Sequence, residues 1–468
     1  LFRGNAISVS GDYQKGGIQM KQPEVELKRS LGIWSALALV VGTVIGSGIF
    51  FKQASVLDSA GSSTMALLAW VIGGIITLTA GLTIAEIGAQ LPYTGGLYVY
   101  MEKIYGRIWG FLSGWMQIIV YGPAIIASLA GYLAVLLVSF FGLSNVWHVP
   151  LALAAMILIG GLNMFENRYG AAFAIVTTCC KLLPIAAIII FGLFYGHQGA
   201  LGQTVAGAQA SAGNFGVAVL ATLFGYDGWI LIANLGGEIK NPQKVLPKAI
   251  IIGLSFVLVV YTAVTFGVFN GLSAGLIHKL GDNTTPYLAT QAFGTIGGRL
   301  LNIGVIISII GCMNGKIMTF PRIMYAMAKR HDLPFSKQLS YVNAKTHEPM
   351  IATVAIIAIA SLMVGFFNAD YLSDLCIFTV YCFYVAAFIG VFLLRKRMPG
   401  PRPFSTPLYP ITPIIAIVGA LFVIISELFS DPVGAIASLS IVAIGLPIFY
   451  VVKKRDTNPV VDEMETNR

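Results

Sequence analysis

The chain has 468 residues, 57% hydrophobic and 10% charged, with a mean hydropathy of +0.82 and a formal net charge of +9. That balance excludes a soluble globular protein. The basic excess would suit a nucleic-acid partner, but its distribution along the chain rejects one and points to the lipid bilayer instead.

Residues 1–19 (LFRGNAISVSGDYQKGGIQ) are polar and glycine-rich and lack the apolar core of a signal peptide. They read as a disordered or appended tail, with Met20 a candidate native start. Beyond them, apolar runs recur along the whole length, and a spanning helix needs about 20 such residues. Their positions predict twelve spans, at 34–55, 63–89, 107–138, 148–166, 170–195, 215–235, 246–271, 297–328, 350–367, 374–394, 407–428 and 432–452. No alternation of the outer-membrane barrel type appears, so the expected class is an all-α membrane protein.

Basic residues cluster in alternate connections: Lys28 and Arg29; Lys103 and Arg107; Lys240, Lys244 and Lys248; Lys329, Arg330, Lys337 and Lys345; Arg395, Lys396 and Arg397; Lys453, Lys454 and Arg455. The intervening connections carry only Lys52, Lys279 and Arg299. This positive-inside asymmetry predicts a multi-pass protein of the inner (plasma) membrane with both termini cytoplasmic, and it requires an even number of spans. The cysteines (Cys179, Cys180, Cys312, Cys376, Cys382) all fall within predicted spans at spacings that form no metal set, and read as small packing residues.

Span one, "ALALVVGTVIGSGIFF", carries Gly46, Ser47 and Gly48 at its centre. Span six, "LATLFGYDGWILIANLGG", is interrupted by Gly225, Asp227 and Gly228. Glycine costs a helix roughly 1 kcal/mol relative to alanine, and freed backbone groups at membrane depth are tolerated only where they line a cavity or meet a ligand. Close helix packing is the competing use of such small residues. Matching breaks five spans apart imply two repeats of opposite orientation and place a binding site between them. Half-helix N-termini attract carboxylates and carbonyl ends attract ammonium groups, so the expected ligand is a zwitterion, most simply an amino acid.

"GTVIGSGIF" (42–50), "AEIGAQLPYTGGLYVY" (85–100), "LFGYDGW" (223–229), "GEIKNPQKVLPKAI" (237–250) and "NGKIMTFPRIMYAMAKRHDLP" (314–334) resemble, in order, the amino acid–polyamine–organocation superfamily. The likeness covers about 28–455 and is strongest to the L-amino-acid transporter branch and its bacterial alanine–serine–cysteine exchangers. It implies a LeuT-type fold of 12 transmembrane helices. The implied layout is a polar tail at 1–30, a first inverted five-helix repeat at 31–195, a second at 196–398, two further helices at 399–455 and a tail at 456–468. The prolines from Pro399 to Pro413 mark the boundary before those last two helices.

The resemblance also implies that Val44, Gly46, Ser47 and Gly48 hold the substrate carboxylate, with carbonyls of Val44, Phe224 and neighbours on the amino group. Phe224 would close over the substrate, and Gly225, Tyr226, Asp227 and Gly228 complete the break. Asp227 departs from the mammalian pattern, which has glycine there. It either caps freed amides of the second half-helix or favours cationic substrates beside the ammonium site. Ile230 replaces a polar residue of larger-substrate relatives, which argues for small neutral substrates. Tyr261 and Tyr381 are weaker candidates, with packing as the alternative.

Lys181, in "TTCCKLLPIAAI", stands about 12 positions, or ~18 Å, from the cytoplasmic edge at Arg168 and Tyr169. An ionised lysine there costs ~2.5–3.5 kcal/mol on insertion scales, so it must find partners or lose its proton. It resembles the lysine that replaces a sodium ion in sodium-independent members, which would make exchange the default. A proton carrier of lowered pKa, or a scaffold residue, are the alternatives. Glu86 reads as an inward-gate residue paired with a basic neighbour, as do Glu238 and Lys240. Lys316 and Arg322 either line the inner vestibule or snorkel toward Lys329.

No HExxH, GxSxG or facing-aspartate pattern supports an enzyme, and no cofactor is expected. A single chain with inverted breaks does not supply the rings of a channel. The expected function is sodium-independent exchange of small neutral L-amino acids by alternating access. Proton-coupled symport, cationic exchange and a membrane amino-acid sensor are the alternatives. With no cysteine in an outside loop, no glycoprotein subunit is expected.

Overall fold

A chain this apolar can satisfy its backbone in lipid only through helices or a closed barrel, and the elements formed are helices. A computed structural model describes residues 31–165, 167–205 and 212–455. The expected tails, with Met20, Lys28 and Arg29, lie outside the described residues.

The first span is two helices, α1 (Ile33–Val44) and α2 (Gly48–Ala60). α3 (Ser63–Gln90) follows, opened by Ser62, whose hydroxyl accepts from the Met65 amide. A short α4 (Leu97–Tyr105) leads to α5 (Arg107–Met116) and α6 (Gly122–Phe141), joined without a break by a π-helical turn at Gln117–Tyr121. α7 (His148–Leu162) and α8 (Asn167–Tyr195) complete the first half.

The second half begins with another divided span, α9 (Ala212–Gly225) and α10 (Leu231–Asn234). α11 (Pro242–Gly271), α12 (Ala274–Leu280) and α13 (Thr284–Lys329) follow. Then come α14 (Ser336–Leu339), α15 (Met350–Phe366), α16 (Ala369–Arg397), α17 (Ile411–Ser430) and α18 (Pro432–Arg455).

Among the described residues ten helical segments are long and apolar enough to cross a membrane, and two further apolar helices, Phe215–Gly225 and Met350–Phe366, are shorter. The protein is therefore an all-helical, multi-pass membrane protein. Two places differ from twelve uniform spans. The apolar run of span six is cut at Gly225, leaving a single turn, α10, beyond the break. The helix expected from 297 already starts at Thr284 and bends at Gly294, where φ is +67°.

Two packing groups stand out. The broken helices pack with α3 and α11, while α6 packs with α7, α13 and α15; α8 lies on α13, α11 and α1 and so joins the two. The last pair is no loose appendage, since α17 lies on α3, α9 and α16 and α18 on α5.

Ion pairs hold both ends of α16. At its start, Asp370 accepts from Lys52 Nζ at 2.7 Å and from the Tyr132 hydroxyl at 2.6 Å, and Asp374 lies 3.4 Å from Lys52. Lys52 is thus a buried residue of α2 and not a loop charge. At the other end, about 37 Å away at 1.5 Å per residue, Arg395 donates twice to Glu86, at 2.8 and 2.7 Å. Glu86 also meets Arg402 at 3.1 Å and the Thr406 amide at 2.8 Å.

Nearby, Arg322 is buried between Glu238 and Glu348, so it does not snorkel. Burial pushes the Glu348 carboxyl up to about 7 against the pull of Arg322. Lys240, by contrast, is exposed and bound through its backbone amide to Leu31.

Removing the Glu86 carboxylate strips partners from two arginines and one amide. Glu86→Ala is expected to lower the thermal midpoint of the detergent-purified protein by several degrees, at roughly 1–3 kcal/mol for lost charge-assisted bonds. Glu86→Gln should recover part of that loss. Equal midpoints for all three proteins would contradict this role.

Candidate functional site

Breaking α1 from α2 frees the carbonyls at the end of α1, and each meets a side chain from another helix. Lys181 of α8 donates to Gly42 O at 2.8 Å and Ile45 O at 2.6 Å. Cys312 of α13 donates to Thr43 O at 2.9 Å. Tyr261 of α11 lies 3.1 Å from Val44 O and 3.0 Å from Gly225 O, so its one hydroxyl hydrogen serves both breaks. Thr43 ties the breaks together again, its hydroxyl 3.1 Å from Gly228 O.

The amide end of α2 is treated differently. Its first amides, those of Ser47 and Gly48 included, precede any intrahelical acceptor. The Ser47 hydroxyl is fully buried and has no hydrogen-bond partner. The two breaks touch at glycine: a Cβ on Gly48 would stand 2.4 Å from Gly225 Cα. Gly228 has φ +112°, which lets the chain turn between α9 and α10.

Between the breaks lies a narrow cavity. Thr43, Val44, Gly46, Ser47 and Gly48 form one wall, and Phe224 and Asp227 another. Ile125 and Leu129 of α6, with Cys312 and Lys316 of α13, close it. Phe224 is covered by Tyr132, at 6.0 Å between ring centroids, and by Lys52, whose Nζ sits 5.5 Å from its ring. The lining is mostly apolar with a few convergent polar groups, as expected of a small-molecule site.

Several residues take positions that sequence alone did not give. Asp227 does not cap the helix beyond it: α10 has no side-chain cap and is a single turn. Its carboxylate accepts from the Tyr121 hydroxyl at 2.6 Å and from Lys316 Nζ at 2.8 Å. Lys316 is correspondingly buried and does not snorkel. Because Lys316 already matches the Asp227 charge, the ground for a cationic substrate at that carboxylate is removed.

Tyr226 turns away and donates to Trp70 O at 3.0 Å. Ile230 and Tyr381 are buried outside the cavity lining, Tyr381 against the Tyr384 ring. Thr43, Tyr121, Ile125, Leu129 and Cys312 escaped the sequence reading, being ordinary span residues. Lys316 carried a signal, a charge of sign opposite to Asp227 within an otherwise apolar run.

The geometry agrees with what the chain is similar to. The amino acid permease family profile matches residues 31–452. The serine/threonine exchanger SteT of Bacillus subtilis is 49% identical over 430 residues, 92% of this chain and 98% of that protein. The b(0,+)-type amino acid transporter 1 of Mus musculus is 31% identical, covering 87% of this chain and 84% of its own. The Asc-type amino acid transporter 1 of Mus musculus is 28% identical over 91% and 82%. With broken helices around a small buried cavity, and a match over nearly its whole length, this chain belongs to the amino acid permease family, whose members are transporters and not enzymes.

Proposed function

We propose that the protein is a sodium-independent antiporter that exchanges small neutral L-amino acids across the plasma membrane by alternating access. The cavity between the two breaks carries this reading. It offers the opening amides of α2 and the unpartnered Ser47 hydroxyl to a carboxylate. It offers the Val44 carbonyl, which shares one hydroxyl hydrogen with Gly225 O, to an ammonium group.

The small volume and the apolar Ile125 and Leu129 suit a short neutral side chain. The identity of 49% to a serine/threonine exchanger supports both exchange and a small substrate of the Ala/Ser/Cys class.

Lys181 has the position and contacts of a fixed cation at the carbonyl end of α1. A charge that never leaves gives a bound sodium ion nothing to do, so inward and outward steps balance only when substrate moves both ways. The broken helices with α3 and α11 would rock against the group formed by α6, α7, α13 and α15. In this reading the chain has twelve spans, inverted repeats at 31–195 and 196–398, cytoplasmic termini and no obligate subunit. Glu86 and Phe224 would act at the two gates.

In proteoliposomes, uptake of labelled alanine should require unlabelled amino acid inside and be equal in sodium-containing and sodium-free buffer. Uptake into empty vesicles driven by an inward proton gradient would make the protein a symporter instead. Ser47→Ala should raise the half-saturating concentration on the order of tenfold, the loss of one hydrogen bond to a charged group. An unchanged value would remove Ser47 from the carboxylate site.

Lys181→Met fills the same space, leaves the Gly42 carbonyl without its donor and leaves the Ile45 carbonyl only the Ser308 hydroxyl at 3.3 Å. Exchange should fall by about tenfold or more while membrane insertion persists. Full exchange by this variant would reduce Lys181 to scaffold.

A further inference from the structure

The long helix α13 is closed without glycine. The His331 amide donates to Ala328 O and the Asp332 amide to Met327 O, both at 3.0 Å. This ending puts the residue after the cap in the left-handed region, where glycine is usual. His331 takes that conformation at φ +57°, and shortly afterwards Phe335 does so again at φ +60°. Side chains avoid the region because Cβ crowds the backbone. Two such residues so close together point to a use for the side chains they keep.

Both line a groove of about 430 Å³ between this loop and the last turns of α18. Leu333 and Phe335 form one wall and Ile448, Val451 and Val452 the other, with His331 set among them. α18 is held by α5, α16 and α17, which leaves this side of its last turns to the groove. The loop itself is fixed. Buried Asp332 accepts from the Tyr98 hydroxyl at 2.6 Å and from Arg107 at 2.8 and 3.1 Å. The Ser336 hydroxyl donates to Leu333 O at 2.5 Å. The groove is therefore preformed, and its size lies in the range of small-molecule sites, about 300–1,000 Å³.

The walls are apolar, and Phe335 is 77% exposed. The charges around the groove that remain unmatched are positive. The carboxylates of Asp332 and Glu102 are paired with Arg107 and Arg330. Lys337, beside Ser336, and Lys453, beside Val452, are exposed, and the chain runs on through Lys454 and Arg455. A soluble anion would gain nothing from the apolar walls. A zwitterionic lipid carries an ammonium group that the lysines repel. An apolar slot beside basic residues at the end of a spanning helix suits an anionic phospholipid.

We propose that one anionic diacyl phospholipid binds in this groove, with part of an acyl chain between Phe335 and Val451 and its phosphate at His331, Lys337 and Lys453. The imidazole N–H and the two ammonium groups donate to the phosphate oxygens. The lipid ties the end of α18 to the end of α13, the helix that carries Cys312 and Lys316 to the breaks.

The test uses the detergent-purified full chain, with phosphatidylglycerol and phosphatidylcholine of identical acyl chains. Phosphatidylglycerol should raise the thermal midpoint by several degrees more than phosphatidylcholine, and glycerol phosphate alone should not move it. Native mass spectrometry should show one tightly held phosphatidylglycerol. His331→Gly keeps the turn at the end of α13 and removes the imidazole. Combined with Lys337→Ala and Lys453→Ala, it should weaken phosphatidylglycerol binding about tenfold or more. Val451→Trp fills the groove from the other wall and should do the same with every charge in place. Lys248→Ala, at an exposed lysine in the first turns of α11, should leave binding within about twofold.

Equal shifts from the two lipids, or a shift from glycerol phosphate alone, overturn the site. So does binding that survives in the triple variant or in Val451→Trp. An equal loss in Lys248→Ala also overturns it, since the attraction would then belong to the whole basic face. If Val451→Trp does not fold, the triple variant decides. No transport is read, so failure here leaves the exchanger reading untouched, and failure of exchange leaves this site untouched.

Discussion

The structure depends on one constraint: no backbone polar group can be left unmet at membrane depth. Two spans are broken there, and the freed groups are satisfied unequally. The carbonyls of Gly42, Thr43, Val44 and Ile45 are each taken by a side chain from α8, α13 or α11. The amide end of α2 receives no such cover, and the Ser47 hydroxyl beside it is buried and unpartnered. Under the proposed function a ligand carboxylate would complete what the protein leaves open, while the carbonyl end is pre-organised by fixed donors. The cavity is thus polarised before any substrate enters.

The same side chains that satisfy the breaks also join helices that belong to different packing groups. Lys181 reaches from α8 to α1, whereas Tyr261 of α11 ties the two breaks together within one group. Cys312 and Lys316 reach from α13 to α1 and to the turn after α9. A rigid-body motion between the groups cannot leave all of these bonds intact, so movement at the site and rearrangement of its polar contacts are one event. The ion pairs at the two ends of α16 extend this coupling to the faces of the protein. The Lys52 side chain is 3% exposed against 54% for its partner Asp370, while Glu86 is enclosed by Arg395, Arg402 and the Thr406 amide. Water reaches the first pair and screens it more than the second.

Much of this was legible in the sequence because it is local. Apolar runs gave the helical membrane class, and glycines within them located both breaks to within a residue or two. A lysine in the middle of span five had to find partners or lose its proton, and it meets the carbonyls of Gly42 and Ile45. What could not be read is pairing across distance. Asp227 lies 89 positions from Lys316 and 106 from Tyr121, and nothing in the local pattern of any of the three announces the others. Read alone, Asp227 looked like a helix cap or a cation site. The helix it would cap is a single turn, and the charge it would offer is already matched. Lys52 misled in the same way, since charge counting near a span end does not reveal a buried partner on α16.

Gly228 shows why the breaks and the ion pair form a single unit. Its φ of +112° is one that side chains rarely adopt. A Cβ there would stand 2.7 Å from Thr43 O and 3.2 Å from Lys316 Nζ. Any side chain would therefore push on the first break and on the charge pair together. Its own carbonyl lies 3.1 Å from the Thr43 hydroxyl and shares that group's one hydrogen with Leu39 O, 2.6 Å away in the turn before the break. Glycine at 228 is what lets the turn after α9 approach α1 closely enough for that bond, and it leaves Lys316 room beside Asp227. The small residues in the middle of these spans weaken two helices, and in return the interrupted backbones meet each other rather than lipid.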